Sequence, residues 1–298
     1  KSKFIRTFKI MYSLYIYNPK YIISFLHIPN NYALLYKIMF FWRSTVLITS
    51  ERNLNINTLG VKDLLIRIPH LFASKVVCNS NLQKLKIENY FKKNIIFIPN
   101  GTSTSNITLK SNYESKNKKL KLIVPARFSL QKNPINLLKA IKIILTNSNL
   151  SIEIHWYGRT DSNELIYKDS IEFIKKNNLD NNFFFKSPSL NIFEKIIKYD
   201  AVILPSFYEG CPNAIIDGML CASPILASDV SDNRVYLKHQ EEFLFNPICP
   251  KDIADKIHAF SKKNTFFRQQ LGNDNRIFAE KMFDIDKMIN SYIKLLLK

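Results

Sequence analysis

Residues 204–228 read LPSFYEGCPNAIIDGMLCASPILAS. An apolar run, a tight turn, a helix start and a second apolar run follow one another, which is the order of an α/β unit. Glu209 is followed by Gly210, Cys211, Pro212 and Asn213. A residue without a backbone N–H, next to a short polar side chain, suits the first turn of a helix. Asp217 stands eight residues after Glu209, about one turn into that helix. A helix N-terminus leaves N–H groups unpaired and carries about half a positive charge, so an anionic or hydroxyl-rich ligand held there gains donors. A carboxylate on either side then accepts hydrogen bonds from hydroxyl groups. Neither acid is expected in a core, because carboxylates are rarely buried unpaired.

The same alternation extends outward. YIISFL at Tyr21, TVLIT at Thr45, KVVCN at Lys75 and IIFIP at Ile95 are β-rich runs separated by helical patterns. KLIVP at Lys121, IEIHWY at Ile152, FFF at Phe183, AVILP at Ala201, PILAS at Pro224 and FLF at Phe243 continue the series. Helices are expected near 134–145, 163–176, 192–198 and 212–221. Strands that alternate with helices predict parallel sheets. The polar stretch 102–119 reads as a linker. The organisation that follows is a first domain over 1–101, a linker over 102–119, a second domain over 120–280 and a terminal helix over 281–298 that packs back on the first domain.

In open parallel sheets ligands sit beyond the carboxyl ends of strands. Two candidate loops have that position: the Glu209 turn, and VPARFSLQKNP, which sets Arg127 and Lys132 five residues apart after the apolar run 122–125. Arginine offers phosphate a planar fork and lysine a point charge. Alone, the pair would read as two surface cations. The Glu209 segment is what makes it a site.

These residues resemble the retaining GT-B glycosyltransferases, above all glycosyltransferase family 4, the glycosyl transferases group 1. Glu209 and Asp217 match the family's glutamate-x7-glutamate segment, and 124–134 its diphosphate-binding loop. IPNG at 98–101 resembles the segment that closes its first domain, and 276–297 with Phe283 its closing helices. The resemblance covers essentially the whole chain, densely from Ile95 onward and thinly before Ser44. It implies two Rossmann-like domains whose parallel sheets face a cleft. It implies that Glu209 contacts the donor sugar and Asp217 the ribose hydroxyls, that Gly210, Cys211, Pro212 and Asn213 line the donor, and that Arg127 and Lys132 hold the leaving diphosphate. Glu209, Arg127 and Lys132 are the catalytic candidates. No metal or other cofactor is implied, and the expected outcome is retention at the anomeric carbon.

Several positions depart from the family. Asp217 replaces a glutamate, Ala126 and Ala222 stand where glycine is frequent, and Gly158-Arg159-Thr160 replaces a Gly-x-Gly turn. Ser50 and Glu51 stand at the end of the TVLITSERN strand, where many members carry histidine. A full member has a further strand, a glycine-rich loop and one or two strand–helix units ahead of NPKYIISFL at 18–26. The first domain is therefore expected to be incomplete at its N-terminal side.

The bulk composition narrows the classes. A chain of 298 residues with 46% apolar composition can bury two cores. It holds no run of 18 uncharged apolar residues, so a spanning helix is not expected. Cys78, Cys211, Cys221 and Cys249 lack metal or redox spacing and read as reduced structural thiols in a cytoplasmic protein. The histidines, His27 among them, form no metal pattern, FDID at 283–286 reads as helix capping, and neither nucleotide-binding glycine motif is present. His27 follows a strand and reads as structural or solvated ahead of cleft-facing. Residues 1–120 carry 19 Lys and Arg against 4 Asp and Glu, so +15 of the +19 net charge lies in the first part of the chain. Lys1, Lys3, Arg6 and Lys9 interleave with Phe4, Ile5, Phe8, Met11 and Leu14. That pattern fits either a packed helix with a solvated rim or a face lying on an anionic leaflet, where each basic residue contributes about 1 kcal/mol.

The expectation is a cytoplasmic glycosyltransferase, peripheral on the inner face of the plasma membrane. It moves a hexose or N-acetylhexosamine from a nucleotide-diphosphate sugar, UDP ahead of GDP, to a cell-surface glycan or polyprenyl-linked acceptor. One alternative is a sugar-nucleotide epimerase or hydrolase of the same fold. Another is a non-catalytic basic binder of anionic membrane or nucleic acid; no recognition-helix or aromatic–glycine signature supports nucleic acid as a partner. A two-carboxylate glycosidase is disfavoured, because more than a helical turn separates Glu209 from Asp217.

Overall fold

The computed structural model describes residues 3–52, 60–91, 93–104, 107–114 and 119–297. The chain divides into two compact units. The first comprises Lys1–Asn100, Glu209–Cys211 and Asp286–Lys298; the second comprises Gly101–Tyr208 and Pro212–Ile285.

In the first unit, β1 (Tyr21–Phe25), β2 (Val46–Glu51), β3 (Lys75–Cys78) and β4 (Ile95–Phe97) form a parallel sheet in that order. Side chains alternate across a strand, so β-branched and leucine runs bury both faces. Leu47, Val76, Cys78 and Ile95 pack on one face with Ala33, Ala73 and Ile87. Ile48, Val77 and Ile98 face the other way, where Met288, Tyr292, Leu295 and Leu296 of the terminal helix Ile285–Leu297 cover them. Lys75 Nζ donates to the Leu295 carbonyl at 2.9 Å. The basic N-terminal pattern forms the helix Lys3–Tyr17, with Met11 buried and Phe4, Phe8, Tyr12 and Ile16 exposed; Lys1 lies outside the described residues.

The second unit holds β5 (Lys119–Pro125), β6 (Ser151–Tyr157), β7 (Phe183–Lys186), β8 (Ala201–Leu204), β9 (Ile225–Ser228) and β10 (Leu244–Phe245). Their order is β10-β9-β8-β5-β6-β7, and every pairing is parallel. The chain steps outward from β5 to β7, then returns to the other side of β5 and steps outward again. Val124 lies opposite Trp156, and Leu204 opposite Ala227. Trp156, Phe128, Leu137, Ile141, Phe243 and Phe260 lie in the core on one face. Of the FLF run, only the last two residues are strand; Phe243 ends the 3-10 turn Lys238–Phe243.

The second unit takes in Gly101–Tyr208, and with it the stretch read as a linker. Among its described residues, Lys110 and Tyr113 are buried. The Lys110 N–H donates to the Cys221 carbonyl at 2.9 Å, and the Tyr113 hydroxyl to the Ala222 carbonyl at 2.8 Å. Burial pushes the Lys110 ammonium down to about 8 and the Tyr113 phenol up to about 12. Polarity in 102–119 misleads because Lys110 and Tyr113, among the described residues, are buried in the second unit. Ala222 itself holds φ at 56°, the left-handed region that costs an L-residue about 1–2 kcal/mol.

Tyr113→Ala is expected to lower stability by about 3 kcal/mol in urea unfolding, where a solvated linker would show no change. Ala222→Gly is expected to raise it by about 1 kcal/mol by removing the backbone strain.

Candidate functional site

The sheet order of the second unit reverses between β5 and β8. Such a switch point opens a crevice at the carboxyl ends of the two strands; the loop of Arg127 leaves β5, and the chain that leaves β8 leads to the helix Asn213–Leu220.

The loop after β5 is anchored by Phe128, whose ring lies 4.9 Å from Trp156, 5.1 Å from Phe185 and 6.0 Å from Tyr167. Trp156 Nε1 donates to the Ala126 carbonyl at 2.7 Å, and the Phe128 N–H to the Arg159 carbonyl at 3.0 Å. A Cβ on Gly158 would lie 1.9 Å from the Ala126 oxygen, so the glycine is needed for the two loops to meet. Between these anchors Arg127 is left exposed, and Lys132 sits half-buried at the end of the 3-10 turn Leu130–Lys132. Asn133 follows with φ 57°, and its amide donates to the carbonyls of Pro205 at 3.0 Å and Pro247 at 2.7 Å. Gln131 Nε2 donates to the Tyr208 carbonyl at 2.8 Å, and the Phe207 N–H returns a bond to the Gln131 carbonyl at 2.9 Å. Three loops at the carboxyl edge are thus joined by two side-chain amides. Asn133 and Gln131 were not expected as site residues; KNP ahead of a helix signals a cap, and nothing in it signals a bridge.

Pro212 stands just outside the helix Asn213–Leu220, and its carbonyl accepts from the N–H groups of Ile215 and Ile216 at 3.1 and 3.2 Å. Asn213 is exposed as the first helical residue, and Asp217 is one turn further on. Both acids are more sheltered than expected. Glu209 is 6% exposed, and burial pushes the Asp217 carboxyl up to about 7. Neither acid was expected to be withdrawn from water, because the packing responsible joins residues that are distant along the chain.

Glu209, Gly210 and Cys211 belong to the first unit. Gln83 Nε2 donates to the Glu209 carbonyl at 3.1 Å, and Asn100 Nδ2 to the Cys211 carbonyl at 3.0 Å. A Cβ on Gly210 would lie 2.1 Å from the Arg52 carbonyl oxygen. Cys211 is buried and in no disulfide. Arg52 donates from Nε to Ser50 Oγ at 3.2 Å, from Nη2 to the Tyr292 hydroxyl at 2.9 Å and from Nη1 to Asn100 Oδ1, and its guanidinium lies 4.6 Å over the Phe25 ring. Beside it, Glu51 Oε2 pairs with Arg67 Nε at 2.6 Å and lies 3.7 Å from His70 Nε2. Burial raises the Glu51 carboxyl, but His70 and Arg67 outweigh it and hold the group down at about 2. Glu51 is therefore held ionised against Arg67. His27 is exposed at the start of the helix His27–Met39, and with Arg6 it lines an apolar cavity of about 740 Å³ in the first unit.

Residues 105–278 match the family described as Glycosyl transferases group 1, and the chain belongs to that family. It is 26% identical over 211 residues to an uncharacterized glycosyltransferase of Methanocaldococcus jannaschii, covering 70% of this chain and 55% of the relative. It is 25% identical over 219 residues to the capsular polysaccharide biosynthesis glycosyltransferase CapH of Staphylococcus aureus, covering 71% and 58%. The chain thus spans a little over half the length of the curated relatives it matches. Among solved structures it resembles a sucrose-phosphate synthase of Thermosynechococcus elongatus with a TM-score of 0.83 at 16% identity, covering 99% of this chain and 76% of that one. It resembles HepE of Anabaena in complex with UDP and glucose with a TM-score of 0.82 at 16% identity, covering 96% and 80%. TarM of S. aureus in complex with UDP follows at 0.79 and 17%, covering 96% and 58%. The fold is the α/β GT-B fold.

The raised Asp217 carboxyl fixes a pH dependence. The folded chain holds this proton up to about pH 7, whereas the unfolded chain releases it near 3.8. Its contribution to stability is therefore full at low pH and is lost as pH rises towards 7. Asp217→Asn is expected to melt higher than the parent at pH 8 and to match it at pH 4. Gly158→Ala is expected to melt lower, because its Cβ would overlap the Ala126 oxygen.

Proposed function

We propose that the chain is a retaining glycosyltransferase that moves a hexose or N-acetylhexosamine from a UDP-sugar to a surface glycan or lipid-linked acceptor. One observation carries the reading: the loop bearing Arg127 and Lys132 and the helix bearing Asp217 leave adjacent strands at the switch point of one parallel sheet. A nucleoside diphosphate leaving from a sugar gathers negative charge, so the reaction is accelerated chiefly by fixed positive groups set where that charge develops. Arg127 supplies a guanidinium and Lys132 an ammonium, on a loop pinned by Phe128 and Asn133. The first turn of Asn213–Leu220 adds backbone donors. Asp217, once ionised, accepts from the ribose hydroxyls, and Glu209 accepts from a hydroxyl of the donor sugar.

UDP is favoured over GDP because HepE and TarM are described in complex with UDP. A surface glycan is favoured by the likeness to CapH. A lipid-linked acceptor and attachment to an anionic leaflet accord with the helix Lys3–Tyr17, which exposes Phe4, Phe8 and Tyr12 beside Arg6 and Lys9. Among the described residues no helix is long and apolar enough to cross a membrane.

Thermal melting with UDP, GDP and CMP tests the donor. A nucleotide at about 100 times its dissociation constant stabilises by roughly 2.7 kcal/mol, and the shift is expected with UDP alone and to be lost in Arg127→Ala and Lys132→Ala. The absence of any shift with a folded sample would overturn the reading. With UDP-sugar and acceptor, Lys132→Ala is expected to lower kcat about a hundredfold. Turnover is expected to survive EDTA, with the two cations doing what a metal ion does elsewhere. UDP affinity is expected to rise as pH passes through about 7, where Asp217 ionises. Epimerised or hydrolysed sugar formed without acceptor would identify a different enzyme of the same fold.

A further inference from the structure

We propose that Arg52 and Asn100 form a positioning relay that holds the Glu209–Cys211 segment in its working conformation. The proposal rests on the reading of Glu209 as the residue that meets the donor sugar. A side-chain amide has one oxygen that accepts and one nitrogen that donates. Arg52 only donates, so its Nη1 fixes which end of the Asn100 amide faces it, and Asn79 Nδ2 adds a second donor to the same oxygen at 3.3 Å. The Asn100 nitrogen is thereby turned to the Cys211 carbonyl. Flipping the amide would set its NH2 against a guanidinium and its oxygen against a carbonyl. Arg52 is itself fixed on three sides, by Ser50 Oγ, the Tyr292 hydroxyl and the Phe25 ring. Its backbone acts as well: the Arg52 carbonyl is the surface against which Gly210 packs. One residue just beyond β2 therefore supports both Gly210, by close approach, and Cys211, through Asn100. Arg52 and Asn100 are positioning residues, and Glu209 is the group they serve.

The Cys211 side chain, which is in no disulfide, gives a readout that needs no activity. It is buried, as are Cys78 and Cys221, so alkylation by a maleimide, mapped by mass spectrometry, follows release of the segment while the other two thiols monitor the fold. Asn100→Asp keeps the pairing with Arg52 but sets an oxygen against the Cys211 carbonyl. Alkylation of Cys211 is expected to rise about tenfold in Asn100→Asp and Arg52→Ala, with Cys78 and Cys221 still protected. Arg52→Lys is expected to behave like Arg52→Ala, because a point charge cannot hold Ser50, Asn100 and Tyr292 together. In transfer assays Asn100→Asp is expected to lose about a hundredfold in kcat while UDP-induced stabilisation, which depends on Arg127 and Lys132, is unchanged.

Protection of Cys211 in Asn100→Asp at the parent level would overturn the relay. If Arg52→Ala exposes all three thiols, that variant has lost its unit and Asn100→Asp decides. A parent chain that UDP does not stabilise would overturn the glycosyltransferase reading, and the alkylation rates would still accept or reject the relay.

Discussion

The reversal of strand order between β5 and β8 is the constraint on which the candidate site depends. A parallel sheet covered by helices on both faces hides its strands, and its loops emerge only at the strand ends. Where successive connections turn to opposite sides of the sheet, the loops part and leave a crevice. Arg127 and Lys132 leave one side of that parting, and the helix carrying Asp217 follows the other. Side-chain amides then keep the parted loops in register: Asn133 bonds to Pro205 and Pro247, and Gln131 to Tyr208. The cations can thus project from a loop whose backbone is held by neutral groups.

Close backbone approach is the second organising theme, and a chain with only six glycines shows where it is indispensable. Gly158 lets the loops after β5 and β6 touch, and Gly210 lets a three-residue segment rest on the Arg52 carbonyl. Ala222 takes the opposite course. It accepts a left-handed backbone without glycine, and the Tyr113 hydroxyl bonds to its carbonyl. The same carbonyl leaves no room for a side chain at residue 272, which is glycine.

Two carboxylates show how environment sets opposite ionisation in one kind of group. Glu51 and Asp217 are both withdrawn from water, which by itself raises a carboxyl group. Glu51 has Arg67 and His70 against it and stays ionised far below neutrality. For Asp217 burial is the governing influence, and its proton is held to about pH 7. An acid that is withdrawn from water with no cation beside it is costly to ionise.

The strand–helix alternation, the parallel sheets and the position of both candidate loops after strands were legible in the sequence, because hydrophobic period and turn residues are local properties. Arg127, Lys132, Glu209 and Asp217 were legible as types at fixed spacings. The burial of Lys110 and Tyr113 within 102–119 was not, since the Lys110 N–H and the Tyr113 hydroxyl bond to the carbonyls of Cys221 and Ala222, about a hundred residues away. The burial of Glu209 and Asp217, the pairing of Glu51 and the bridges made by Arg52, Gln83, Asn100 and Asn133 were equally hidden. By itself the sequence determined which elements form and which charges they carry, because both follow from neighbours along the chain. Only the tertiary structure decided which strands flank the crevice, which acids lose their water and which amides hold the loops, because each depends on groups brought together across the chain by packing.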